Sequence, residues 1–97
     1  MVKHIVMWRL KNESAKTADA MRIKSLLEGL AGQIPGMTHI EVGSNFLTDT
    51  NSSDVVLYSE FVDRDALDGY QQHPLHLSVV LQVKELVSER RVVDYQC

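Results

Sequence analysis

Apolar residues recur along this chain with two periods. From Val2 to Leu10, the positions Val2, His4, Val6, Trp8 and Leu10 alternate with Lys3, Ile5, Met7 and Arg9, the two-residue repeat of an extended strand. The repeat then lengthens. Ile23, Leu26, Leu27, Leu30 and Ile34 fall three or four apart with Lys24 and Glu28 opposite, and Ser14 or Thr17 stands ready to cap the start. This spacing predicts a long amphipathic helix, ended by Gly32 and barred from continuing by Pro35-Gly36. Period two returns from Met37 to Phe46, where Thr38, Ile40 and Val42 oppose His39 and Glu41, and Gly43-Ser44 marks a bulge near the end. Beyond a polar loop, Thr48 to Asp54, a third strand is predicted over Val55 to Val62, with Val55, Leu57, Ser59 and Phe61 on one side.

Asp63 is a plausible N-cap for a short helix carrying Ala66, Leu67 and Tyr70, and Pro74 suits the first turn of a further helix reaching about Val87. On that helix His76, Val79, Val80, Val83 and Val87 share a face while Lys84 and Glu85 look outward. Arg90 to Tyr95 reads as a last strand. The order is that of an α+β, ferredoxin-like βαββαβ protomer with an antiparallel sheet, in which right-handed crossovers bring the first and third strands to the centre. Helices cover one sheet face. The other face would expose Ile5, Met7, Val56 and Tyr58, a patch most simply covered by a second copy across a twofold axis. A homodimer is therefore expected.

Composition narrows the function classes. At 97 residues, 44% hydrophobic and 24% charged, the chain has room for one soluble domain, residues 1–97. The net charge is −3 and the basic residues are scattered, so no nucleic-acid partner is expected. No apolar run approaches the ~20 residues of a membrane span, and the N-terminus opens directly into a strand pattern, so no membrane partner and a cytoplasmic location are expected. A single cysteine, Cys97, excludes an intrachain disulfide and a structural cysteine metal site.

Several segments together carry a resemblance: Val2 to Val6 (VKHIV), Ile34-Pro35-Gly36-Met37, Glu60-Phe61, the run from Tyr70 to His76 (YQQHPLH), and Arg91 to Tyr95 (RVVDY). In this order, over essentially the whole chain, they resemble the stress-responsive A/B barrel domain family. The resemblance implies a ferredoxin-like protomer whose sheets pair face to face into a dimeric α+β barrel. The family includes plant stress-induced and antimicrobial proteins, bacterial members of unknown role and a plant polyketide cyclase, olivetolic acid cyclase. By resemblance to that cyclase, a pocket between sheet and helices would use His4, Tyr70 and His76 as working residues.

The phase of the residues agrees independently. His4 keeps step with Val6 and Trp8, so it faces the helices, and His76 lies on the apolar face of its helix. A histidine can remove a proton from carbon between carbonyls, and a tyrosine hydroxyl can orient the base or stabilise an enolate. The plainer reading, hydrogen-bonded core histidines, stands beside it. The expected lining is Val6, Trp8, Ile23, Leu27 and Val80. Ile23 and Leu27 stand where the cyclase would present aromatic residues, and Trp8 adds bulk, so a smaller or filled pocket is expected.

His73 and His76 are three apart, but no third ligand is apparent, so no metal site is expected and His73 reads as a residue that starts a helix. No cofactor motif and no poised pair of carboxylates is present. Two functions follow: a dimer that binds a small hydrophobic or carbonyl-containing molecule, or a cofactor-independent cyclase, isomerase or lyase with a histidine base acting on an enolisable, polyketide-like substrate.

Overall fold

The computed structural model describes residues 1–97. Its elements run β1 (Val2–Leu10), a 3-10 turn (Glu13–Ala15), α1 (Lys16–Glu28), β2 (Met37–Ser44), β3 (Val55–Phe61), α2 (Arg64–Gln72), α3 (Pro74–Lys84) and β4 (Val87–Gln96). The strands form one antiparallel sheet in the order β2-β3-β1-β4, with β1 and β3 central. This is the ferredoxin-like α+β fold.

Period two becomes burial in the central strands. Val2, His4, Val6, Trp8 and Leu10 of β1 and Val55, Leu57, Ser59 and Phe61 of β3 are all buried, so the strands present one continuous wall to the helices. Seventeen buried apolar side chains form a single cluster between that wall and the helical layer. On the opposite sheet face Ile5, Val56 and Tyr58 are half-buried, while Met7, Val93 and Tyr95 are 41%, 49% and 43% exposed. The register pairs Ile5 with Val93 and Tyr58, and Met7 with Arg91 and Val56, which gathers these side chains into one patch.

Helix α1 begins and ends differently from the sequence expectation. Neither Ser14 nor Thr17 caps it. The side chain of Asn12 instead accepts from the Ser14 amide and caps the preceding 3-10 turn. At the other end the α-helix stops at Glu28, and tighter bonds follow, with Leu30, Ala31 and Gln33 amides each donating three residues back. Three-residue turns keep Leu30 and Ile34 on the buried side, so helical spacing outlasts the helix itself. Gly32 (φ 77°) then turns the chain, and Gly36 (φ 80°) reverses it into β2 against Ala66 of α2.

The β2 irregularity falls between Met37 and His39, not at Gly43-Ser44. Val87 opens β4 and is not the last residue of α3, because the backbone leaves the helix after Lys84 and Val87 pairs with Leu10. Two caps match the sequence reading. Asp63 accepts from the Ala66 amide at 2.8 Å, and His73 starts α3 by accepting the Leu75 amide at 3.1 Å on Nδ1. Helix α3 also carries Leu75, Leu77 and Leu81 toward solvent.

Candidate functional site

Between α3 and the side of the sheet formed by β1 and β4 lies an open cleft of about 440 Å³, lined mainly by apolar side chains. Val6, Trp8, Leu27 and Val80 line it as expected from the sequence. Ile23 does not. It is 0% exposed and belongs to the packed core. Nor is the cleft filled by Trp8 and the aliphatic residues of α1, since α3 stands away from β4, whose residues after Val87 are all exposed.

His4, Tyr70 and His76 come together along this cleft. His4 is brought from the centre of the sheet, Tyr70 from the buried side of α2, and His76 from the first turn of α3, set there by the bend at His73-Pro74. The rings of Tyr70 and His76 stack with centroids 4.0 Å apart and planes inclined by 34°. His4 meets Tyr70 edge-on at 5.9 Å, and Phe61 backs Tyr70 at 5.1 Å. The contact between Tyr70 and His76 is therefore ring on ring and not a direct hydrogen bond.

Their polar atoms show what the packing leaves undone. The Tyr70 hydroxyl and the His76 Nδ1 are both buried and have no protein partner. An unsatisfied buried group of this kind costs about 1–3 kcal/mol, which marks the pair as set apart from ordinary core packing. Burial pushes the Tyr70 phenol well above its ordinary value, with the Arg90 charge opposing, so the hydroxyl keeps its proton at neutral pH. Burial also holds the His76 imidazole below its ordinary value; the Gln71 carbonyl pulls the other way, and the Arg90 charge adds to the depression. At neutral pH this is an uncharged base beside a proton donor.

Asp94, which sequence reasoning left without a role, completes the arrangement. It sits opposite His4 in the β1–β4 register and pairs with the His4 Nδ1. The other ring nitrogen, Nε2, has no protein hydrogen bond. A carboxylate on Nδ1 fixes the ring orientation and selects the tautomer that leaves Nε2 available as an acceptor. The signal was the strand order itself: pairing β1 with β4 antiparallel from Val2 opposite Gln96 brings Asp94 onto His4. Arg90, Lys84 and Gln71 also line the cleft and had not been singled out as site residues. No group of three His, Cys, Asp or Glu side chains gathers closely enough to hold a metal ion, and no helix is long and apolar enough to cross a membrane.

A four-stranded sheet covered on one face by three helices, with a histidine- and tyrosine-lined cleft beneath the last of them, defines the class as a ferredoxin-like α+β protomer. The chain belongs to the stress responsive A/B barrel domain family, which matches residues 2–97. The stress-response A/B barrel domain-containing protein DABB1 of Arabidopsis thaliana is 27% identical over 100 residues, covering 98% of this chain and 46% of its own length, so the chain spans about half of that relative. A dimeric protein of unknown function and ferredoxin-like fold from Bacteroides fragilis is similar with TM-score 0.86 and 31% identity, over 99% of this chain and 95% of that one. A hydroxynitrile lyase from Passiflora edulis has the same fold, with TM-score 0.82 at 17% identity over 97% and 90% of the two chains.

Proposed function

We propose that the protein works as a homodimer that binds a small, largely apolar molecule bearing a carbonyl or hydroxyl group in the cleft between α3 and the β1–β4 side of the sheet. The observation that carries this reading is the buried Tyr70 hydroxyl left without a partner at an open apolar cavity. A ligand oxygen can accept that proton, while Val79, Val80 and Val83 cover the apolar remainder. Titration of a panel of small ketones and phenols followed by NMR should shift cleft resonances, and Tyr70→Phe should weaken binding at least several-fold without loss of fold. Absence of any cleft shift across the panel would sink the reading.

The homodimer rests on the exposed patch around Met7, Val93 and Tyr95 and on relatives described as dimeric. Light scattering should give about twice the 11.0 kDa of one chain. Met7→Asp should shift the mass toward one chain by placing an unpaired charge in the interface, at a cost of several kcal/mol. A cytoplasmic setting goes with this reading, which asks nothing of the lone Cys97.

A second reading is favoured by the uncharged His76 beside the protonated Tyr70. In it His76 takes a proton from carbon next to a carbonyl, Tyr70 donates a hydrogen bond to the enolate oxygen, and His76 returns the proton elsewhere, as in a cofactor-independent cyclase, isomerase or lyase. The check is deuterium exchange at the central carbon of acetylacetone in D2O. Acceleration that disappears in His76→Ala, with Asp94→Asn reducing it less, supports the enzyme. Exchange no faster than in buffer leaves only the binding role.

A further inference from the structure

Two cations at the cleft stand without anionic partners. Arg90 of β4 and Lys84 in the last turn of α3 both line the cavity, and neither side chain makes an ion pair or a hydrogen bond. Elsewhere Lys16 pairs with Asp54 at 3.2 Å, Lys24 with Glu28 at 2.7 Å, and Glu89 holds Arg91 at 3.1 Å and Arg9 at 3.9 Å; Lys11 and Arg64 also lack a carboxylate partner but stand on the open surface, whereas the cleft lining holds Lys84 and Arg90 with no carboxylate among them. Glu89 thus serves residues flanking Arg90 in the sheet and leaves Arg90 itself free. Asp94, which shares the alternation of Arg90 along β4, is engaged by His4. Arg90 is close enough for its charge to bear on both Tyr70 and His76. In a chain of net charge −3, an apolar cavity with two unpaired cations and an unpartnered buried hydroxyl calls for a ligand with a negative end.

We propose that the cleft selects small apolar carboxylates, with the carboxylate held by Arg90 and Lys84 and the apolar part lying along Val79, Val80 and Val83 toward Tyr70. This rests on the reading of the cleft as a ligand site and names the class of ligand it takes. A guanidinium matches a carboxylate with two parallel hydrogen bonds. A phosphate is disfavoured. The last turn of α3, where Lys84 sits, is the carbonyl-bearing end of the helix, whose partial negative charge opposes a doubly charged group more than a singly charged one.

The test compares octanoate with octanamide, the same chain with an uncharged head, by calorimetry and NMR titration of the 97-residue protein at pH 7.5. Octanoate should bind about tenfold more tightly than octanamide, the difference that one charge-assisted hydrogen-bonded contact supplies. Arg90→Gln should remove most of that difference while leaving octanamide within twofold. Lys84→Gln should act in the same direction with a smaller effect, and added salt should weaken octanoate alone. Val80→Phe, which fills the cavity, should abolish both. Equal affinities for the two compounds in the unaltered protein, or octanoate binding that survives Val80→Phe, would overturn the charge selection while leaving the cleft reading to its own test. Failure of both compounds to bind would overturn the two together.

Discussion

The two halves of the helix–sheet interface are built from the same kinds of residue and come out differently. Under α1, Ala20 and Ile23 are buried in the packed core, and Glu28 reaches over the strand edge to accept the Val42 amide at 2.9 Å. The Lys24 ammonium beside it and the Val42 amide hold the Glu28 carboxyl below its ordinary value. Under α3, Val79 and Val83 are buried, but Val80 and His76 are only partly covered and the β4 strand they face is exposed. Valine is short, and a strand of Arg90, Val92 and Asp94 offers no apolar surface deep enough to draw the helix down. Packing is complete where side chains are long and the strand edge is tied to the helix. It stays open where neither holds, and that is where the unpartnered polar atoms collect.

Substitutions can break this contrast or sharpen it. The largest effect is expected from Ile23→Ala, which leaves a void in the dry half and should lower unfolding free energy by about 2–5 kcal/mol in urea titration. Val80→Ala, on the wall of an existing cavity, should lower it by about 1 kcal/mol or less in the same assay. Equal losses would erase the distinction between the halves. Gly36→Ala tests the turn that delivers α1 to β2. Its φ is 80° and a new Cβ would lie 2.5 Å from the Ala66 Cβ, so a loss of about 1–3 kcal/mol is expected from strain and displacement of α2.

Tyr70→Phe should move the other way. Removing a buried hydroxyl that has no partner is expected to raise stability by up to about 1 kcal/mol while ligand affinity falls. A large loss of stability would mean that the hydroxyl is satisfied after all. The smallest effect is in the pH profile. His76 is held below its ordinary value in the folded state, so the unfolded chain binds the extra proton more readily, and stability is present above about pH 6.5 and declines as pH falls. The groups facing His76 are His4 of β1, Tyr70 of α2, His73 at the helix start and Arg90 of β4. Melting temperatures between pH 7.5 and 5 should therefore fall less steeply in His76→Gln than in the unaltered chain. Parallel curves would remove His76 from the account.

The strand and helix order was legible in the chain because Val2 to Leu10 and Val55 to Phe61 each bury every second residue without interruption. The convergence of His4, Tyr70 and His76 was legible for the same reason: each interrupts an otherwise apolar face. What periodicity cannot carry is depth and register. Ile23 and Leu27 lie one helical turn apart on the same side of α1, yet only Leu27 reaches the cavity, a matter of where the helix crosses the sheet. Asp94 sits among exposed residues of an edge strand and acquires its partner only through the pairing of β4 with β1. The end of α1 was misplaced because three-residue turns and an α-helix can bury the same leucines.

The pairing of the first strand with the last has one further consequence. Val2 lies opposite Gln96, and the Cys97 amide donates to the Met1 carbonyl at 3.1 Å, so the two ends of the chain meet side by side on neighbouring strands. A linker of a few residues would join them at small entropic expense, turning the chain into a covalent ring. A permuted chain that begins at Asn45 and ends at Ser44 would then keep every strand and helix whole, the break falling beyond the end of β2 where neighbouring residues are exposed.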